Sequence, residues 1–178
     1  MKKLLALRTC STMTGIMSYA AETYVADNVD LSDGHEETFN VASGDTEVHR
    51  GIFSGSGSVK KTGDGTLAFE PLVEGEGGAF QDGANTFTGG ITVQGGTVRA
   101  DNAGAFGSNA ITISSSGGAV RYGSEYQSGV TTYTEFTNDI DVTVGNTART
   151  VTFSQNTILR GDITGAGQVT LYHDNGSS

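Results

Sequence analysis

The sequence predicts an all-β fold, a parallel β-solenoid of roughly seven coils of about 20–22 residues, on three observations. The first is composition. Gly accounts for 27 of 178 residues, and Thr (24), Ser (16) and Asn (9) are abundant, so turn formers and β-favouring residues dominate and helix bundles are disfavoured. The second is a thin supply of large apolar side chains: Leu, Ile, Val and Phe total 38, too few for a thick globular core. The third is an internal echo, in which Ile91-Thr92-Val93-Gln94-Gly95-Gly96-Thr97-Val98-Arg99 recurs as Ile111-Thr112-Ile113, a Ser114-Ser115-Ser116 spacer, and Gly117-Gly118-Ala119-Val120-Arg121.

Along the chain, residues 1–21 come first. Met1-Lys2-Lys3 is a basic start, Leu4-Leu5-Ala6-Leu7 an apolar stretch, and Ser18-Tyr19-Ala20-Ala21 a small-x-small cleavage site, the pattern of an export signal. Arg8 departs from it by interrupting the apolar stretch. Cys10 is the only cysteine; Arg8 sits where a lipid-attachment site requires small residues, so Cys10 is incidental. A mature chain of residues 22–178 would hold no disulfide, and its stability would have to come from repeated backbone pairing. It would keep 7 basic residues against all 20 acidic ones, a net charge of −13. Such acidity argues against nucleic acid as a partner, because phosphate binding needs a basic footprint. The sequence holds no run of 18 apolar residues that would span a membrane as a helix.

Residues 22–178 then read as one repeat domain. Each copy of the echo holds two short strands with apolar residues at alternate positions, which point to one face. Stacking the copies puts Ile91 over Ile111, Val93 over Ile113 and Val98 over Val120 in inward ladders spaced ~4.8 Å apart. Arg99 over Arg121 then becomes an outward pair, tolerable through solvent screening. The linker 100–109 is too rich in Gly and Asn for a crossover helix. Residues 70–84, Glu70 to Ala84, are expected to loop out of the stack, with Pro71 at the exit. A longer echo relates Arg50-Gly51…Gly55…Gly57…Val59 to Arg160-Gly161…Gly165…Gly167…Val169 at a constant offset of 110, and suggests a little more than one unit of a larger array. End coils, stacked on one side only, should be the loosest.

The blocks Lys60-Lys61-Thr62-Gly63-Asp64-Gly65-Thr66-Leu67-Ala68-Phe69, then Asn85-Thr86-Phe87-Thr88-Gly89-Gly90-Ile91-Thr92-Val93, then Ala105-Phe106-Gly107 before Ile111-Thr112-Ile113, closely resemble the autotransporter-associated β-strand repeat, also called the passenger-associated transport repeat. The resemblance covers residues 55 to 122 well and 138 to 172 more loosely. It implies a right-handed parallel β-helix on the outside of a bacterial cell, exported by a signal peptide and carried across the outer membrane by a C-terminal β-barrel translocator. That barrel would come from missing sequence, so the chain is expected to be a passenger fragment continuing beyond Ser178.

No residue is nominated as catalytic, cofactor-binding or metal-ligating. Asp33-Gly34-His35-Glu36-Glu37 could ligate a cation but lacks the paired histidines of a zinc protease and reads as a solvated loop. His49 and His173 have no cysteine or acidic pattern joining them. Gly75 to Gly83 faintly resembles a calcium-binding nonapeptide, yet occurs once, whereas such sites form between successive repeats. Asp139, Asp141 and Asp162 with Arg160 are the carboxylates and base that a polysaccharide lyase or hydrolase would need on one face. Tyr122, Tyr126, Tyr133 and Phe136 would either stack on sugars or fill coil corners. The leading expectation is a non-enzymatic stalk or adhesin; the rival is a carbohydrate-active β-helix enzyme, and a third reading is a trimeric phage tail fibre. Expected partners are host-surface or glycan ligands, or further copies joined through solenoid edges.

Overall fold

Period-two alternation of aliphatic residues with threonine builds three columns of short parallel strands. A computed structural model describes residues 21–123, 133–144, 148–154 and 157–174. The residues of the expected export signal before Ala21, Cys10 among them, and Tyr126 lie outside the described residues. The first face is a seven-stranded sheet of β1 (Glu22–Val25), β4 (Thr46–His49), β7 (Thr66–Phe69), β11 (Gly96–Ala100), β13 (Gly118–Tyr122), β16 (Arg149–Ser154) and β19 (Val169–Asp174). The second is a six-stranded sheet of β3 (Glu36–Asn40), β6 (Ser58–Thr62), β10 (Ile91–Val93), β12 (Ile111–Ile113), β15 (Ile140–Val142) and β18 (Ile163–Gly165). The third face is paired as β2 (Val29–Leu31) with β5 (Phe53–Gly55) and as β14 (Thr134–Phe136) with β17 (Thr157–Leu159). Between those pairs it continues as extended or turn segments, where Thr86 N donates to Phe53 O and Thr88 N to Gly55 O. The chain visits first, third and second face in turn, so each circuit is one coil of a β-solenoid.

The expected ladders form in register. Ile91 pairs with Ile111 and Val93 with Ile113, while Val98 pairs with Val120 and Arg99 with Arg121. Leu67, Val98, Val120 and Val151 occupy successive rungs of one inward column and are all fully buried. Burying each such side chain contributes about 1.5–3 kcal/mol.

Among the described residues the turns number about six, not seven, because coil length varies. Thr46 pairs with Thr66, a step of 20 residues, but Thr66 pairs with Thr97 and Ala119 with Thr150, steps of 31. Both long steps leave the first face at the same corner. The first contains the expected excursion from the stack. There β8 (Leu72–Glu74) and β9 (Phe80–Asp82) form a hairpin, the one antiparallel pair among the described residues.

The echo at 110 does not mark a unit of the stack, since Val59 lies on β6 of the second face and Val169 on β19 of the first. What the two stretches share is the build of a corner, from first to third face at Arg50 and from third to second face at Arg160. Arg50 N donates to Val25 O and Arg160 N to Phe136 O; Ile52 N donates to Asn28 Oδ1 and Asp162 N to Asp139 Oδ1. A Cβ on Gly51 or Gly161 would stand 2.0 Å from a carbonyl oxygen of the coil below, so both corners require glycine.

An aromatic spine runs along the axis. Phe53, Phe69, Phe106, Tyr122 and Phe136 make successive ring contacts with centroids 4.7–5.9 Å apart, and Tyr122 stacks on Phe153 at 5.8 Å. Buried asparagines tie the corners. Asn85 Oδ1 accepts from Phe53 N at 2.8 Å while its Nδ2 donates to Ala105 O at 2.6 Å, joining the coils on either side. Asn109 donates to Phe87 O and accepts from Gly90 N, and Asn138 donates to Asn109 O. Each satisfies backbone groups that the turns leave without strand partners. Among the described residues, no helix is long and apolar enough to cross a membrane.

Candidate functional site

The densest polar cluster lies on the outer side of the first face and its corner. Tyr24, Val48, Ala68 and Arg99 occupy successive rungs of one outward column, yet Val48 and Ala68 are only 1% and 0% exposed. Outward apolar side chains stay dry only under a cover, and the charged residues around them have the reach to supply it. Arg50, Glu70 and Asp101 each follow the last residue of a first-face strand, and their amides continue the ladder: Glu70 N donates to His49 O and Asp101 N to Phe69 O. The Arg50 guanidinium stands 4.1 Å over the Tyr24 ring and its Nε donates to Glu70 at 2.7 Å. Tyr24 donates its hydroxyl to Glu22 at 2.7 Å, which raises the phenol's pKa. Arg99 grips both oxygens of Asp101 at 2.7 and 2.9 Å, with Glu22 4.0 Å away. Burial raises the Asp101 carboxyl's pKa, and Arg99 opposes that rise. Arg99 is therefore outward as expected, but a fixed carboxylate as well as solvent balances it against Arg121.

This cluster ties four consecutive rungs together, with Glu70 and Asp101 occupied by arginines. In the sequence the cluster is masked, because Glu70 opens the segment 70–84 and Asp101 stands in the Gly- and Asn-rich linker 100–109. The signal was present: each stands one position beyond an inward residue, Phe69 or Ala100, at a strand end.

A second unexpected group is inside the tube. Lys61 pairs with Phe39 and Val93 in an inward column of the second face and is fully buried. Its ammonium donates to the carbonyls of Thr62, Gly63 and Gly95 at 2.6, 2.8 and 3.2 Å, matching three donors to three acceptors across two coils. Burial pushes its pKa down to about 8, with Asp64 and Glu47 opposing. His49 is also buried, contacts Phe39 and Phe53 edge-on, and meets Glu47 through Nε2 at 2.6 Å, which lowers the pKa of the Glu47 carboxyl.

The residues weighed from sequence fall as follows. His35 bridges Asp33 through Nδ1 and Glu37 through Nε2 on an exposed turn, and these bonds, Asp33's first, raise its pKa. Among the described residues no group of His, Cys, Asp and Glu could hold a metal ion. His49 and His173 belong to the same inward column on β4 and β19, separated by β7, β11, β13 and β16, so they share no site. Asp139 and Asp162 stack on adjacent rungs just before β15 and β18, and Asp141 stands on β15 within 3.5 Å of the Thr164 hydroxyl. Arg160 is drawn instead to Glu135, at 2.6 and 2.8 Å. Asp139 and Asp162 thus occupy adjacent rungs, joined through the Asp162 amide, while the Arg160 guanidinium is taken up by Glu135. Tyr122 and Phe136 are interior residues of the spine, whereas Tyr133 is exposed.

The fold defines this chain as a β-solenoid repeat protein. Within that class no family model matches it, and neither a curated protein nor a solved structure does.

Proposed function

We propose that this chain is a non-enzymatic passenger segment of a bacterial surface-displayed or secreted β-solenoid, serving as an extended stalk or adhesive surface. The supporting observation is that the blocks resembling the autotransporter-associated repeat supply consecutive in-register rungs: Val59, Ile91 and Ile111 pair in one column, and Leu67, Val98 and Val120 in another. Stability in such a stack accumulates from coil-to-coil interfaces, a design suited to length rather than to a reaction centre. The charged cluster on the first face fits this reading, because its arginine–carboxylate pairs clamp rungs.

The test is display. A tagged version expressed from its own gene in the source bacterium should be exported with its N-terminus removed near Ala20 or Ala21. It should also be shaved from intact cells, or recovered from the medium, under conditions that spare cytoplasmic proteins. Retention inside the cell with Met1 in place would refute the proposal.

A further inference from the structure

We propose that the β8–β9 hairpin is a recognition element for arginine side chains on a basic partner protein, gripping a guanidinium on the face that carries Phe80, Glu74 and Asp82. The proposal rests on the surface role above and names the chemistry of its adhesive contact.

Its register makes Glu74 the direct cross-strand neighbour of Phe80, and Leu72 that of Asp82. In an antiparallel pair such residues point to the same side, and so do residues two apart along a strand. One hairpin face therefore presents an aromatic ring flanked by two carboxylates. Phe80 is 71% exposed, and Glu74 and Asp82 are exposed as well. A guanidinium can stack on the ring while its N–H fork meets carboxylate oxygens, the combination that selects arginine over a bulkier or anionic group.

The hairpin is also held in place. Leu72 N donates to Arg50 O in the coil below, and Pro71 O accepts from both Gly83 N and the buried Asn102 Nδ2 in the coil above. It leaves the stack just after the first-face strand β7, and insertions on the side of a repeat stack commonly form its binding face. Charge selects the occupant. No Lys, Arg or His lies between Pro71 and Ala84, while Glu74, Glu76 and Asp82 do. The whole chain carries −10, so another copy or a polyanion is repelled and a basic protein segment is attracted.

The test titrates the full chain against a short fluorescein-labelled oligo-arginine peptide, read by anisotropy at near-physiological salt. Wild type should bind, and oligo-lysine should bind more weakly. Phe80→Ala, which changes no charge and removes an exposed side chain, should weaken oligo-arginine binding by about fivefold. Glu74→Gln should weaken it comparably, and Asp139→Asn, an equal charge change away from the hairpin, by less than about twofold. Circular dichroism of each variant confirms the β fold. No binding by wild type, wild-type affinity in Phe80→Ala, or an Asp139→Asn loss as large as that of Glu74→Gln would overturn the proposal. Any of these outcomes leaves the display reading standing, since that is decided on intact cells.

Discussion

Lys61 makes the stability of this solenoid rise with pH where most proteins begin to weaken. Its ammonium sits inside the tube, and burial sets its pKa at about 8 against an ordinary 10.5. Between those values the unfolded chain binds more protons than the fold, so stability increases with pH, and the contribution is lost as pH falls through about 8. The displacement corresponds to about 3 kcal/mol in full and to about 2 kcal/mol between pH 8 and 10. The carbonyls of Thr62, Gly63 and Gly95 favour the charged form, so these figures are upper values. Urea unfolding of wild type and Lys61→Met at pH 7, 8, 9 and 10 measures the effect. Wild type should gain relative to the variant across that range, and the difference should be flat below pH 7. Parallel curves, or a wild type that loses ground as pH rises, would refute the placement of this lysine in the core.

Phe106→Ala removes a spine ring that touches both Phe69 and Tyr122 and should cost about 3–5 kcal/mol in denaturant melts, whereas the half-buried Phe153 near the last rung should cost less. Asn85→Ala strands the Phe53 amide and the Ala105 carbonyl and should destabilise by about 2 kcal/mol or more in the same melts. Asp139→Ala and Asp141→Ala should leave the fold intact, and incubating wild type with acidic polysaccharides should yield no new reducing ends or unsaturated products; turnover abolished by either substitution would reverse the non-enzymatic reading. NMR titration should find the His35 pKa above the usual histidine value, because Asp33 and Glu37 hold its charged form. Stability from that contact is present below about pH 6.5 and lost as pH rises through the folded value.

Much of the fold was legible because one rule, alternation, governs each rung. Ile91, Val93 and Val98 announced their own ladders, and their partners at 111, 113 and 120 repeat the pattern. The same alternation from Val59 points Lys61 inward, but a lysine is ordinarily taken as a surface residue, and only the three carbonyls waiting at the corner explain its position. Asn85, Asn109 and Asn138 resemble turn formers in Gly-rich stretches; that they are buried ties between coils depends on backbone groups twenty or more residues away. The spine draws Phe53 and Phe136 from one face and Phe69 and Tyr122 from another, so no single periodicity displays it. The echo at 110 misled because Arg-Gly corners recur at different corners of the cross-section. The candidate cluster on the first face was legible only in part: alternation places Glu70 and Asp101 at strand ends, but Glu22, Arg50, Glu70 and Asp101 become neighbours only once the coils are stacked.

The most direct measurement is of methyl–methyl proximity. With valine and leucine methyls selectively labelled in an otherwise deuterated chain, nuclear Overhauser spectra should connect Val98 to both Leu67 and Val120, and Val120 onward to Val151. Val98 methyls that reach neither neighbour, in a folded and dispersed spectrum, would contradict the stacked-coil architecture on which the rest depends.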